Sequence, residues 1–278
     1  MSALDLNQRA PTELGGLLRY WREVRGVSQL DLSLDADISQ RQISFIESGR
    51  SVPGRQTLLN IAQSLEVPLR ERNVLLLSAG YAPMYSEAPW NAQEMSLVTG
   101  AARRVLLQHE PFPAIVMDRY WNVLMTNHAA LDFFNCFVDL AARAGPRNVL
   151  HLMFDPRGMR PHMANWEAVA RSLIQRVQRE SVGHVVDLQT QQLLDALLSY
   201  PGMRAEWRAL GMAGSASTLP MVPMGFINEG AVLNYFSMIT SVGTPLTVAA
   251  QELRIECMFP ADDETEARHI ALLAATRE

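Results

Sequence analysis

The chain contains no lysine: all 24 of its basic residues are arginine, set against 29 acids for a net charge of −5. Genome base composition accounts for the arginine bias, which by itself names no partner. The acidic balance runs against a chain-wide nucleic-acid-binding surface. Cysteine is scarce. Cys136 and Cys257 lie in apolar surroundings without a metal-ligand cluster, and read as buried thiols rather than a disulfide. There is no run of about 18 apolar residues and no basic-then-apolar N-terminal signal, so a soluble, cytoplasmic protein without a membrane partner is expected. The sequence also lacks Gly-x-Ser-x-Gly, a His-x-x-x-His pair and a phosphate-cradling glycine loop. The six histidines are scattered, and His151, in an apolar helical run, reads as a satisfied core residue. An enzyme is not expected, nor a cofactor.

What is present fills two domains. An apolar share of 48% supplies packed cores, and a charged share of 19% is too low for a disordered chain. Residues 1–80 hold nine arginines and nine acids, whereas the remainder holds fifteen and twenty. Between Ser39 and Arg55, three arginines face one glutamate, a local excess of two. Phosphate binding depends on such patches and on helix N-termini, so overall acidity does not exclude it.

The first eighty residues read as five short helices. Leu14, Leu17, Leu18, Trp21 and Val24 form an apolar stripe on a helix closed by Gly26. Ser28 caps a second helix, with Asp31 at its N3 position; Leu30, Leu32 and Leu34 are expected inside, and Ala36 at a close helix approach. Ser39 caps a third. Its Ile43 and Ile46 point to the core, which leaves Gln40, Arg41 and Ser44 on the solvent face, and Gly49 ends it. A fourth helix spans about 54–65. A fifth spans about 69–78 with Val74, Leu75 and Leu77 inside. Two helices joined by a tight turn, the second bearing amide, hydroxyl and guanidinium groups, match the helix-turn-helix plan for reading a major groove.

The pattern Leu-Arg-x-x-Arg-x-x-x-Gly-Val-Ser-Gln-x-x-Leu followed by Ser-Gln-Arg-Gln-Ile-Ser-x-Ile-Glu-Ser-Gly-Arg resembles the Xre, or phage-repressor-like, helix-turn-helix family over residues 14–80. The resemblance implies that Gln29 touches phosphate and braces the recognition helix. It implies that Gln40 and Arg41 reach base edges with Gln42 or Ser44 assisting, that Ser39 caps the helix at the interface, and that Arg50 and Arg55 contact phosphates. Glu47 would pack the end of the recognition helix rather than touch DNA. Asp35 and Asp37 depart from the family's alanine-rich second helix and apolar or glycine turn; Asp37 is tolerable as a cap or Asx-turn.

Prolines at 83, 89, 111 and 113 bracket a linker, 81–111, whose Ala92–Gln108 stretch is helical in pattern and reads as a connector. From Pro113 the period changes. Ala114–Asp118 and Trp121–Asn127 read as strands; helical runs follow at 129–138, 149–154, 163–180, 188–200 and 203–210; strand-like runs follow at 218–227, 231–242 and 252–259, with a hairpin turn at Asn228-Glu-Gly230. Two strands, helices, then three antiparallel strands is the order of a PAS-like sensor. The fold class is therefore α+β: an all-α five-helix helix-turn-helix domain over 1–80, the linker, and a PAS-like domain over 112–278 with an antiparallel sheet and helical cover.

The run 113–127, the run Asn148-Val-Leu-His-Leu-Met-Phe-Asp-Pro156 and Trp166-Glu-x-Val-Ala-Arg171 resemble the MmyB-like ligand-binding domain over about 111–260. The family's usual His-Pro pair before the final strands is missing. The resemblance implies a small, often fatty-acid-like ligand in a PAS-like pocket. Fourteen methionines give some support, since unbranched, polarizable side chains line adaptable apolar cavities; Met153, Met221 and Met258 belong to the cluster. The candidate ligand-contacting residues are Met117, Met125, Asn127, Phe134, Phe154, Trp166, Arg171, Met224 and Met238. Asn127 is read first as a helix cap, and Arg171 as a partner for a carboxylate at the pocket rim. The expected partners are double-stranded operator DNA, a second copy of the chain and a small apolar effector. The alternative is a repressor whose second domain is a ligand-free dimerisation or protein-partner module, and the discriminating feature is a cavity between sheet and helices.

Overall fold

The computed structural model describes residues 13–182, 188–204, 207 and 223–275. Met221, His184, residues 218–222 of the expected strand and residues 205, 206 and 208–210 of the expected helix lie outside these. The chain divides into two compact units, one centred on the residues before Pro89 and one on those after it.

The first unit is built from α1 (Leu14–Val24), α2 (Gln29–Asp35), α3 (Gln40–Glu47), α4 (Arg55–Ser64) and α5 (Leu69–Ser78). Leu17, Leu18, Trp21, Leu32, Ile43, Ile46, Leu58, Ile61, Leu75 and Leu76 form its core. Both helices of the helix-turn-helix begin with a capping box: Ser28 with Asp31, and Ser39 with Gln42. The turn between them passes through Asp37 at φ +53°, a left-handed conformation that aspartate tolerates better than most residues. At the α1–α3 crossing, a Cβ on Gly15 would lie 2.6 Å from the carbonyl oxygens of Ile46 and Glu47, so only glycine allows this approach.

Inward assignments fail on two helices, for four residues in all. Leu30 and Leu34 are 52% and 73% exposed, and α2 buries Leu32, Ser33 and Ala36 instead. Residues two apart on a helix point in nearly opposite directions, so Leu30, Leu32 and Leu34 cannot share one face. Val74 and Leu77 are also exposed, while Leu75 and Leu76 are buried. An unbroken apolar run carries no phase by which to choose.

The helices and strands that follow are α6 (Ser96–Gln108), β1 (Ala114–Met117), β2 (Val123–Thr126), α7 (His128–Asn135), α8 (Val149–Phe154), α9 (Trp166–Val182), α10 (Leu188–Leu198), β3 (Met224–Asn228), β4 (Ala231–Ser241), the short α11 (Val248–Glu252), β5 (Arg254–Pro260) and α12 (Asp263–Ala275); they make up the second unit, except that α11 up to Gln251 and the last residues of α9 group with the first. The strands form one PAS-like antiparallel sheet in the order β2-β1-β5-β4-β3. Glu229 and Gly230 both have positive φ (47° and 79°), as a two-residue type I′ hairpin requires. The inner face, with Ile115, Met117, Phe226, Leu233, Tyr235 and Met258, packs against residues of α7, α8, α9, α10 and α12. The outer face of β1 and β5 is covered by α6 through Ala102 and Leu106, so the stretch read as a connector lies on this sheet.

A bulge between Val116 and Met117 shifts the register with β2, pairing Val116 with Met125 and Met117 with Val123. Trp121 and Val123 therefore join the inner core, whereas Leu124 and Met125 turn to the α6 side. Strict alternation would put Trp121, Val123 and Met125 on one face; the extra residue breaks it.

The sequence reading missed α12. Its start carries Asp263, Glu264 and Glu266, which suit a helix N-terminus, and Asp262 Oδ1 accepts from the Thr265 backbone N–H at 2.7 Å. This helix brings in His269, which is fully buried. The Pro111 carbonyl can only accept, so the His269 Nε2–H donates to it (2.8 Å) and Nδ1 accepts from the Tyr235 hydroxyl (2.8 Å). Burial lowers the His269 pKa and pushes the Tyr235 phenol well up. The neutral imidazole is thus part of the folded state. The unfolded chain takes up this proton first, so the stability it contributes is present above the ordinary imidazole value of about 6.5 and is lost as pH falls below it. The urea midpoint should drop between about pH 7 and pH 5, and His269→Gln should flatten that drop. An unchanged pH slope in the variant would remove His269 as its source.

Candidate DNA interface and ligand cavity

Ile43 and Ile46 anchor α3, and its Gln40, Arg41, Gln42 and Ser44 face solvent as expected from their spacing. Gln42 is partly committed: Ser39 Oγ accepts from the Gln42 backbone N–H at 3.2 Å, and the Ser39 backbone N–H reaches Gln42 Oε1 at 3.4 Å. Arg41 and Arg50 share a support. Their guanidinium carbons sit 5.2 and 5.8 Å from the centroid of the half-buried Phe45 ring. The sequence reading passed over Phe45, although its place three residues after Gln42 puts it on the flank of the polar row.

The α3 terminus is held by Glu47, whose side chain is 1% exposed. Arg22 of α1 donates to both carboxylate oxygens, Nε to Oε1 at 2.6 Å and Nη2 to Oε2 at 3.0 Å; Gln29 Nε2 of α2 donates to Oε2 at 2.8 Å, and Arg19 Nε stands 3.5 Å away. Burial alone pushes the Glu47 carboxyl up, but the Arg22 and Gln29 hydrogen bonds and the arginine charges hold it below the ordinary carboxylate range. One carboxylate therefore joins three helices and fixes α3 against the other two. Gln29 does brace the recognition helix. The same pairing takes the one acid of the 39–55 stretch out of play: among the described residues Arg41, Arg50 and Arg55 make no ion pair, so all three charges remain available to an anion.

In the second unit a cavity of about 360 Å³ lies between the inner sheet face (Ile115, Val123, Thr126), α7, the 140–147 loop and α8. This falls in the range of small-molecule sites. Of the nine residues read as ligand contacts, Phe134 alone is among its described lining residues. Met117 and Phe154 are fully buried core. Trp166 packs on that core, donating Nε1–H to the Met153 carbonyl (3.2 Å) beneath the Arg160 guanidinium, and Met224 is partly buried on the inner face. Asn127 is structural: its Oδ1 accepts from the backbone N–H of Ala130 and Ala114, and its Nδ2 donates to the Phe112 carbonyl. Three readings are corrected by placement. Met125 lies on the α6 side, Met238 is 59% exposed on the outer face of β4, and Arg171 is exposed on α9, away from the described lining.

The charged residues at the cavity are Arg143 and Arg147 instead. Their signal was two arginines in a Gly- and Pro-containing loop between helices. Arg143 also lines an adjoining polar cleft of about 450 Å³ with Asp139, Asp155, Arg157 and His162. Arg143 donates Nη2–H to the His151 carbonyl (3.0 Å) and to Asp155 Oδ2 (3.2 Å). His151 is satisfied, with Nδ1 2.9 Å from the Tyr200 hydroxyl, and burial, then the Arg143 charge, lowers its pKa.

A helix-turn-helix head followed by a PAS-like domain is the architecture of a two-domain transcription regulator. The comparisons agree. Residues 98–272 match the family described as MmyB-like transcription regulator ligand binding domain, and residues 18–72 match Helix-turn-helix. The first match covers more than half of the chain, which therefore belongs to the MmyB-like transcription regulator ligand-binding-domain family and carries a helix-turn-helix ahead of it. A stretch of 68 residues is 28% identical to the Endothelial differentiation-related factor 1 homolog of Gallus gallus; it covers 24% of this chain and 46% of that protein, so the chain spans less than half the length of this curated relative. Among the described residues no helix is long and apolar enough to cross a membrane, and no group of His, Cys, Asp or Glu is placed to hold a metal.

Removing the Glu47 carboxylate leaves Arg22 partly buried without its partner. Glu47→Ala should cost about 3 kcal/mol of head stability, whereas Ser44→Ala on the exposed face should cost under about 0.5 kcal/mol. Denaturant midpoints compare the two, and equal small losses would contradict the anchoring role.

Proposed function

We propose that the chain is one protomer of a homodimeric, cytoplasmic regulator that binds an inverted-repeat operator and responds to a small apolar effector. The carrying observation is the uncompensated polar row on α3, held rigid at its end by Glu47. In this reading Gln40 and Arg41 reach base edges, with Ser44 or Gln42 assisting, and Gln29, Ser39, Arg50 and Arg55 position the head on phosphates. A neutral head with three free arginines binds weakly as a single copy. Two copies in fixed register, on half-sites roughly 34 Å apart, supply useful affinity.

The cavity favours an effector over a ligand-free partner module, since a domain used only for protein contact has no need of an apolar space between sheet and helices. By linkage the effector must bind the DNA-competent and incompetent forms with different affinity.

The double substitution Gln40→Ala with Arg41→Ala should abolish specific operator footprints while the circular dichroism spectrum and oligomeric state persist. Footprints unchanged from the parent would refute the base-contact assignment. Organic extraction or native mass spectrometry of the purified chain should release a co-purifying apolar molecule.

A further inference from the structure

Phe45 is a large aromatic residue that does not serve the core of the head. The recognition helix turns Ile43 and Ile46 inward, but Phe45 is not among the described side chains that pack on that core. It is half-buried, and the groups flanking its ring are charged: the Arg41 and Arg50 guanidinium carbons lie 5.2 and 5.8 Å from the centroid. Arg41 is one turn earlier on the same face of α3. Arg50 is brought there by the way the helix ends. The Gly49 backbone N–H donates to the Ile46 carbonyl (3.0 Å) and the Arg50 N–H to the Phe45 carbonyl (2.9 Å), the paired bonds of a Schellman motif. That motif commonly sets an apolar contact between these two positions; here it sets an arginine on an aromatic ring.

We propose that Phe45 is a specificity-determining residue, whose ring reads the methyl group of a thymine beside the base taken by Arg41. This deepens the DNA reading above and rests on it. The major groove offers an apolar ring one matching feature, the thymine C5-methyl; the other groups that distinguish the base pairs there are hydrogen-bond donors and acceptors. The guanidiniums lie over the ring, which leaves its edge for the methyl. Arginine in this groove pairs with guanine. Four residues of helix rise about 6 Å, against roughly 3.4 Å for a base-pair step, so the thymine falls about one or two base pairs from that guanine.

The experiment is a methyl scan. A site is selected from random-sequence duplexes with the full chain. Each thymine of one half-site is then replaced by deoxyuridine, which keeps the base pair and its O4 acceptor and removes the methyl alone. At the thymine beside the guanine, binding should weaken about fourfold, the worth of one buried methyl group. In Phe45→Ala the same replacement should cost nothing. In Phe45→Leu, which keeps an apolar group without the ring, part of the loss should remain. A ring that only supported Arg41 and Arg50 would weaken Phe45→Ala on every duplex and leave its response to deoxyuridine as in the parent. A half-site that lacks thymine there, or is indifferent to its methyl in the parent chain, overturns the contact while leaving the DNA reading standing, and it decides the matter even where a variant fails to fold. A methyl effect that persists in Phe45→Ala belongs to another residue and overturns it too. Selection that enriches no sequence overturns the base reading itself, and this contact with it.

Discussion

A single buried carboxylate organises the DNA-binding head. Glu47 sits at the end of α3 with its side chain 1% exposed, and such a charge is costly unless every lone pair is used. Arg22 and Gln29 use them, from two other helices. The close α1–α3 approach at Gly15 makes this reach short. The result is mechanical as well as electrostatic: the polar row of α3 has a fixed orientation, and the acid that would otherwise repel phosphate is neutralised from behind. Phe45 adds a ring beneath Arg41 and Arg50, which limits the freedom those side chains lose on docking.

In the second domain the constraint is packing. Aromatic side chains fill the centre between sheet and helices, with Phe133 in ring contact with Phe134, Phe137, Phe226 and Tyr235. The free space is displaced toward β1, β2 and the loop before α8, where aliphatic groups and arginines meet. Methionines went to the dense core or the outer face, because an adaptable side chain fills an irregular solid as readily as it lines a void.

Much of the head was legible because helical period, caps and glycine stops agreed with each other: Ser28, Ser39, Gly26 and Gly49 each mark a boundary the structure shares. Where a single signal stood alone, it misled. Leu30 and Leu34 were judged by type rather than phase, and the Leu75–Leu76 pair had no phase to read. The succession of strands and helices along the sensor was legible from turn residues and periodicity, but the bulge at Val116 was not, and it turns Met125 to the α6 side. The solvent-facing polar row of α3 needed only local spacing. The cavity depends on side chains from two strands, two helices and a loop, and no local pattern names such a set. Arg143 and Arg147 reach the gap only through the fold of the 140–147 loop.

The central claim is that one chain couples a cavity to a DNA-reading helix. Measuring operator affinity of the full chain with and without the molecule extracted from it, and ligand affinity with and without operator, tests that directly. The account predicts that the ligand changes operator affinity by a factor between about 5 and 150, and that operator changes ligand affinity by the same factor. Tight ligand binding with operator affinity unchanged would contradict it.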